Sequence, residues 1–496
     1  MMSGKPAFEK SFEMGINHNH LQFRRMKIVA TIGPSSRSLP MLKKLLSAGL
    51  NVARINFSHG DAREHVKVME DIRKTAKQLD TSVAILADLC GPKIRVGKFK
   101  NGSITLKENS IINITVDKVT GDENLIPSQY RRLAMEVKTG DPVLVDDGNM
   151  ELEVIKVIDS RNIKARVIRG GVLKDNKGMN LPGTAMKISA LTNKDKSDVR
   201  YALEGGADYI ALSFVRSPKD ILDLKNYLKK LGAEDKPIIA KIEKPEALEN
   251  IGKIIELSDG IMVARGDLGV ELPANKVPII QNKLIEFANQ ANKPVIVATQ
   301  MLESMINNSR PTRAEVTDVA GACMAGADAV MLSGETAVGR YPVESVKMMD
   351  SILRESEAYQ FHTRGGRFTK AAIDQNDELH EAIGTSIAQL SRDLMVRSIF
   401  VISRSGYSAR LISADRPAAP ILALVPDESV RRRLNLLWGV YPFVIKQGFD
   451  IKRIPEYGEK LLKKLKLGAK GDYILLLAGL TQDSVSTNSI LVHRVS

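Results

Sequence analysis

Residues 237–269 read PIIAKIEKPEALENIGKIIELSDGIMVARGDLG, and the fold follows from how this stretch alternates. Pro237 to Ile242 is a short apolar run, Glu246 to Leu257 carries helical apolar spacing, and Gly260 to Ala264 is apolar again. Polar groups appear at the same end of both runs: Lys241 and Glu243 at the first, Arg265 and Asp267 at the second. In a βα barrel, neighbouring parallel strands deliver such ends to one face. An ammonium and two carboxylates would then converge. Two carboxylates completed by water and substrate oxygens are a usual way to hold Mg²⁺. A lysine beside them suits chemistry that moves negative charge between oxygens. A Lys–Glu ion pair and a capping Asp would account for the isolated stretch equally well; recurrence of the pattern along the chain favours a site.

That recurrence is visible from Met26 onward. Apolar runs fall at Lys27–Ile32, Asn51–Ile55, Val83–Ala87, Tyr209–Leu212, Ile238–Ile242, Gly260–Ala264, Val295–Ala298 and Ala329–Leu332, mostly separated by helix-length amphipathic segments. Three units echo one another: AGLNVARINFS from Ala48, GGADYIALSFV from Gly205 and AGADAVMLSGE from Ala325. In each, a small residue and Gly end a helix, Asn or Asp turns the chain, and a strand ends in polar residues. Eight such units predict an α/β fold built on a (β/α)8 TIM barrel, residues 21–95 and 187–350. Between the third and fourth strands, residues 96–186 change to short period-two runs with Gly and Asn turns, which predicts a small β-barrel lid inserted on the catalytic face. Residues 351–496 begin with a linker and then read as an open C-terminal α/β domain with strands near Ser398–Ser403, Ile421–Val425, Tyr441–Ile445 and Tyr473–Ala478. Residues 1–20 form an N-terminal extension without an apolar core region, so no signal peptide is expected.

Composition narrows the function classes. The chain has 496 residues, 43% hydrophobic and 26% charged, as expected for a soluble globular protein. Two cysteines, Cys90 and Cys323, are too few for a disulfide framework, which points to a reducing, cytoplasmic setting. The longest apolar stretch, Tyr473 to Leu480, is too short to span a bilayer. The net charge of +14 could serve nucleic acid or a phosphorylated anion. Aromatics are only 5% and the basic residues are scattered without a nucleic-acid motif, which favours the small anionic substrate.

Taken in order, the strand ends present Arg54, Asn56 and Ser58; Asp88, Lys93 and Arg95; Ser213; Lys241 and Glu243; Arg265, Gly266 and Asp267; Thr299; then Ser333 and Glu335. Three arginines, two lysines and several carboxylates around one mouth imply a phosphate together with a cation. Arg54 and Arg95 can fork onto phosphate oxygens. The amides of Gly266 and Asp267 could grip a carboxylate where the next helix starts. No cysteine nucleophile, Ser–His pair or histidine is expected at these ends, which favours positioning and charge stabilisation, as in phosphoryl transfer.

The motifs RINFSHG, ADLCGPKIRVG, IIAKIEKPEAL, DGIMVARGDLGVELP, ATQMLESMINNSRPTRAE and DAVMLSGETAVGRYP resemble the pyruvate kinase family, in the family's order, from Met26 to the end of the chain. The resemblance implies Mg²⁺-dependent phosphoryl transfer from phosphoenolpyruvate to ADP, with Mn²⁺ able to replace Mg²⁺, and a homotetramer that engages neither nucleic acid nor membrane. By motif, Glu243 and Asp267 bind the metal and Lys241 neutralises the transferring phosphoryl group. Arg54 orients that group, while Gly266, Asp267 and Thr299 hold the substrate carboxylate. Asn56, Arg95 and Lys194 face ADP. Ser333 and Glu335 support a water relay that protonates the enolate, with direct donation by Thr299 or Lys241 left open. On spacing alone, Lys194 reads as a solvated lysine at a helix start, and Cys90 as a small loop residue. An aldolase-like enolate enzyme or a catalytically dead regulator are rival readings. The aldolase would not need Lys241 with Arg54, Asn56 and Ser58, and every catalytic position is filled, which argues against the dead regulator.

Two departures from family members matter. Where many read DTKGPEIRTG this chain reads DLCGPKIRVG, placing Lys93 beside the monovalent-cation region of Asn56, Ser58, Asp88 and Leu89. The resemblance there is to the potassium-independent subgroup. In the C-terminal domain the turn SRSGYS (Ser403, Arg404, Ser405, Gly406, Tyr407, Ser408) can form an anion nest for a phosphorylated effector. Its partner loop near Ser484–Asn488 lacks the fructose-bisphosphate pattern, which points to a monophosphorylated sugar or a nucleotide instead. The arginine run Arg431–Arg433 is either a solvated helix face or a competing basic site.

Overall fold

A computed structural model describes residues 24–184, 186–364, 378–445, 453–478 and 489–496. The N-terminal extension, most of the linker and the Ser484–Asn488 loop lie outside the described residues. Eight parallel strands close a barrel in sequential order: β1 (Lys27–Thr31), β2 (Val52–Asn56), β3 (Ala84–Asp88), β4 (Tyr209–Leu212), β5 (Ile238–Ile242), β6 (Gly260–Ala264), β7 (Val295–Ala298) and β8 (Ala329–Leu332), with β1 against β8. Most strand residues are buried, because the barrel interior covers one face and the helices cover the other. The barrel is filled by Val29, Val52, Leu86, Ala211, Ile239, Met262, Ile296 and Met331, and Leu436 of the C-terminal domain joins this cluster. The helix expected over Glu246–Leu257 is two segments, Pro245–Glu249 and Ile251–Leu257, broken at Asn250. The last barrel helix runs Pro342–Arg364, so residues 350 and 351 fall inside it rather than at a linker.

The insertion after β3 is a β-domain of a two-stranded and a six-stranded sheet, with isolated bridges such as Val96 to Ser128 and Phe99 to Gly121 beside them. Side-chain hydrogen bonds are among the contacts that tie it to the barrel. Asn180 Nδ2 donates to Glu271 Oε1 at 2.9 Å, and Arg216 Nη1 donates to the Met186 carbonyl at 2.6 Å. The C-terminal domain is a five-stranded sheet: β9 (Ile399–Ile402), β10 (Ile421–Val425), β11 (Val440–Val444), β12 (Tyr473–Ala478) and β13 (Ser489–Arg494), in the order β11-β10-β9-β12-β13. Four strands are parallel and β13, which the sequence pattern did not announce, pairs antiparallel at the edge.

The Asn or Asp that precedes each even-numbered strand does more than turn the chain. Asn51, Asp208, Asp259 and Asp328 each accept, on a side-chain oxygen, the N–H at or near the start of the preceding odd strand: Ile28 at 2.9 Å, Ile85 at 2.8 Å, Ile238 at 2.9 Å and Val295 at 3.0 Å. Each returns its own backbone N–H to that same residue's carbonyl. The bottom of the barrel is thereby closed in four similar quadrants. Three carry an arginine: Arg24 on Asn51, Arg432 on Asp208 at 2.9 Å, and Arg416 on Asp328 at 2.8 and 3.0 Å. Arg416 and Arg432 come from the C-terminal domain, so these bonds dock it onto the barrel floor. Lys27 Nζ adds a bond to the Val440 carbonyl at 2.7 Å.

Candidate functional site

At the opposite end of the barrel, the ends of β2 to β5 carry one continuous chain of charge. Arg54 forks onto Asp88, with Nε and Nη2 both 2.7 Å from Oδ2, and its Nη1 donates to Thr31 Oγ1 at 2.9 Å. Lys241 Nζ sits between Asp88 Oδ1 at 3.1 Å and Glu243 Oε1 at 2.9 Å, and donates to Ser213 Oγ at 2.6 Å. Adjacent strands in register bring these groups together, as Asn56 opposes Asp88 and Ile242 opposes Val263. Burial alone would lower the Lys241 pKa, but Asp88 and Glu243 outweigh it and raise it above the usual lysine range. Burial would likewise raise Asp88, yet Lys241 and Arg54 hold its carboxyl below the usual carboxylate range. Lys241 is therefore a fixed cation, not an acid at neutral pH.

Glu243 is 1% exposed, and its Oε2 accepts the Phe214 N–H at 2.9 Å. Its pKa is raised, first by burial and then by repulsion from Asp267 despite Lys241. Asp267 lies in the first turn of the helix Arg265–Glu271. Two mutually repelling carboxylates at one mouth form the hard-oxygen donor set that a divalent cation takes. Among the described residues no group of three His, Cys, Asp or Glu side chains is placed to hold a metal ion by itself.

Thr299 and Gln300 follow β7 with φ of 69° and 55°. A β-branched residue rarely adopts this left-handed conformation, and such strain concentrates at functional sites. Thr299 Oγ1 donates to the Ala298 carbonyl at 2.6 Å and accepts the Gly266 N–H at 2.8 Å. The Gly266 amide expected to grip a carboxylate is thus bonded to Thr299 Oγ1. Arg265, read from sequence as facing the mouth, instead bonds Asp318 at 2.6 Å and the Thr299 carbonyl at 2.7 Å, so it braces the strained turn. Beyond β8, Glu335 is fully buried and accepts the N–H groups of Leu302 at 3.0 Å and Ser333 at 2.6 Å. Burial raises its pKa. Ser333 Oγ is buried and meets no hydrogen-bond partner among the described residues.

The third group is a ring of cations at the rim. Lys194 Nζ bonds the Phe57 carbonyl at 2.7 Å and Asp198 at 2.6 Å, so the helix start after the lid is drawn to the end of β2. Arg95 Nη1 donates to the Asn176 carbonyl of the lid at 3.0 Å. His59 corrects the expectation that no histidine sits at these ends. Burial first, and then the charges of Arg95, Lys93, Arg54 and Lys194, depress its pKa. The signal was present in RINFSHG, one residue past the polar strand end. In the monovalent-cation region, Asn56 Oδ1 accepts the Ser58 N–H at 3.1 Å and the Leu89 carbonyl accepts Ser213 Oγ at 2.7 Å. Lys93 is exposed, with Cε near Gly178 of the lid.

In the C-terminal domain, Gly406 takes a φ of 91° immediately before the helix Tyr407–Ala414, and the Ser405 hydroxyl accepts the Tyr407 N–H at 3.4 Å. Ser403 is buried while Arg404 is exposed. Among the described residues no helix is long and apolar enough to cross a membrane.

Comparison with known proteins gives one consistent answer. Residues 23–346 match the family model described as "Pyruvate kinase, barrel domain", and residues 381–493 match "Pyruvate kinase, alpha/beta domain". The chain is 43% identical over 478 residues to the pyruvate kinase of Bacillus licheniformis, covering 95% of this chain and 80% of that protein. It is 43% identical over 477 residues to that of Geobacillus stearothermophilus, covering 95% and 81%. A crystal structure of a pyruvate kinase from Cryptosporidium parvum superimposes with a TM-score of 0.88 at 34% identity, covering 97% of this chain and 98% of that one.

Proposed function

The chain belongs to the pyruvate kinase family, and from that premise we propose how its own residues divide the work of the reaction. It is a pyruvate kinase, transferring the phosphoryl group of phosphoenolpyruvate to ADP to give pyruvate and ATP. The observation that carries the assignment of roles is Lys241, held charged between Asp88 and Glu243 and bonded to Ser213 at the strand ends.

Glu243 and Asp267 would hold Mg²⁺ or Mn²⁺. When bound, the cation supplies Lewis-acid neutralisation of substrate oxygens. Lys241 meets the negative charge that spreads over the transferring phosphoryl oxygens, at no reorganisation cost because Asp88 already fixes it. Arg54 is pre-oriented by Asp88 and Thr31, so its exposed edge presents donors to the same phosphoryl group. Arg95, Lys194 and Asn56 line the approach of the ADP phosphates beneath the lid. Thr299 and the first turn at Gly266 and Asp267 hold the substrate carboxylate. For protonation of the enolate, Thr299 has committed its hydroxyl hydrogen to Ala298 and Lys241 is held charged, whereas the buried Ser333 hydroxyl has no partner among the described residues. This supports a water held by Ser333 and backed by Glu335 as the proton carrier.

The proposal extends to five finer readings. The domain division is 21–95 with 187–350, 96–186 and 351–496, the last barrel helix crossing the 350/351 boundary, and the protein works in the cytoplasm as a homotetramer. Activity does not require K⁺, because Lys93 adds an ammonium at the rim while Asp88 and the Leu89 carbonyl are already engaged. A phosphorylated effector binds the Ser403–Ser408 turn. The test of the central role is Lys241→Met, in which metal and substrate binding persist while kcat falls about 10²–10³-fold. A raised KM with unchanged kcat would take Lys241 out of the phosphoryl transfer step.

A further inference from the structure

Glu243 and Asp267 sit on different elements, and one buried ion pair crosses between those same elements. Glu243 and Lys244 are consecutive residues past the end of β5, while Asp267 and Glu271 stand four apart in the helix Arg265–Glu271 that follows β6. Residues four apart share one face of a helix. Strands β5 and β6 pair in register up to Ile242 and Val263, so the two elements leave the barrel side by side. Lys244 Nζ donates to Glu271 Oε1 at 2.6 Å, and the two side chains are 3% and 2% exposed. The same oxygen accepts Asn180 Nδ2 of the lid at 2.9 Å. Lys244 Nζ also lies 5.8 Å from the centroid of the Phe214 ring, within cation–π range. Phe214 in turn donates its N–H to Glu243 Oε2 at 2.9 Å from a left-handed conformation, with φ of 56°.

An ion pair this buried is a poor source of stability. Desolvating both charges offsets their attraction, and apolar residues of similar volume often serve as well. What apolar residues cannot reproduce is the directed bond that fixes the end of β5 against the helix. That restraint matters because the charges of Glu243 and Asp267 repel each other and push the two elements apart. A cation shared by two carboxylates needs them at a set separation, and partners behind the ligands commonly fix it. Lys244 is the residue after one carboxylate and Glu271 stands one turn beyond the other, so their bond spans the gap that the cation would span.

We propose that Lys244 and Glu271 are positioning residues for the divalent cation: their ion pair is a built-in cross-link that sets the spacing of Glu243 and Asp267. The proposal rests on the reading of Glu243 and Asp267 as the metal ligands. Lys244 and Glu271 act through those ligands and take no place among them. Lys244 steadies Glu243 a second way, through the Phe214 ring and its N–H. Asn180 shares the Glu271 oxygen, so the lid hangs on the same cross-link.

The test is an EPR titration of the full chain with Mn²⁺ in the absence of substrates, which reads the free ion and therefore binding without turnover. The double variant Lys244→Met/Glu271→Met leaves the net charge unchanged and replaces the buried pair by apolar groups, a change that folded proteins often accept. Charge alone predicts unaltered Mn²⁺ affinity in it. Loss of the cross-link weakens the affinity about 10–100-fold, the usual range for partners behind metal ligands. Lys244→Met alone separates the two causes by sign, and does so even where the double variant fails to fold. Removing a neighbouring cation tightens Mn²⁺ binding if charge is the cause, whereas losing the cross-link weakens it. Asn180→Ala spares the ion pair and keeps the affinity of the unmodified chain. Glu243→Gln and Asp267→Asn are titrated alongside. If neither weakens binding, the ligand reading falls and the proposal with it. If they weaken it while the double variant binds as tightly as the unmodified chain, or Lys244→Met binds more tightly, or Asn180→Ala alone reproduces the loss, the proposal is overturned and the ligand reading stands.

Discussion

Replacing Arg416 by Met should loosen the C-terminal domain far more than the same change at Arg432. Arg416 and Asp328 are 1% and 3% exposed and bond in parallel at 2.8 and 3.0 Å. Removing one partner of such a pair leaves an uncompensated buried charge, typically about 3–5 kcal/mol. Asp328 keeps the N–H groups of Val295 at 3.0 Å and Trp438 at 3.3 Å, which places the cost near the lower figure, about 3 kcal/mol. That is roughly a 150-fold rise in the opening equilibrium of the interface. Arg432 differs on both counts: its side chain is 27% exposed, and Asp208 retains Arg73 when Arg432 is lost. Its removal should cost about 1 kcal/mol or less. One global midpoint is poorly defined for a chain of several domains, so the measurement is native-state hydrogen exchange at the Val295 and Trp438 amides. Equal loss of protection in the two variants would refute the reasoning that burial and exclusivity of the partner set the cost.

Glu243→Gln and Asp267→Asn should each raise the Mg²⁺ concentration needed for half-maximal activity, and a metal titration unchanged in both would strike them from the ligand set. The unmodified protein should turn over at near-full rate in K⁺-free, Na⁺-free buffer with tetramethylammonium, while Lys93→Glu should become K⁺-dependent; strong K⁺ activation of the unmodified protein would contradict this. Lys27 should tilt stability with pH. Burial first, and then Arg24, lower its pKa to about 7 against the opposing pull of Glu357 and Asp328, so between about 7 and 10.5 the unfolded chain binds more protons than the folded one. The stability contributed by this residue therefore rises with pH across that window, by at most about 1.4 kcal/mol per unit. Lys27→Met should flatten the slope in denaturant titrations from pH 7 to 10, and an unchanged slope would count against it.

The barrel was legible because each strand is an apolar run four or five residues long that ends in polar groups, and the period-two runs of the lid were equally local. That Glu243, Lys241 and Arg54 gather at one mouth was legible for the same reason: a strand end fixes which face a side chain reaches. What sequence could not carry is pairing across distance. The AGLNVA, GGADYI and AGADAV echoes marked Asn51, Asp208 and Asp328 as turn residues, but their bonds to the neighbouring strand and to arginines distant in the chain depend on closure and docking. Arg265 looked like its neighbours in the motif yet points to Asp318, because it opens a helix instead of ending the strand. The strain at Thr299 is a backbone property with no glycine to announce it. β13 was missed because its apolar residues follow a polar stretch of sequence and, among the described residues, pair with β12 alone.

The most direct measurement of the central claim is ³¹P NMR of the unmodified protein with phosphoenolpyruvate, ADP and Mg²⁺. The phosphoenolpyruvate signal should vanish in step with the rise of the γ-phosphate of ATP, only with both substrates present, and Lys241→Met should slow the two changes together. Release of inorganic phosphate without ATP, or no consumption of phosphoenolpyruvate at all, would contradict it.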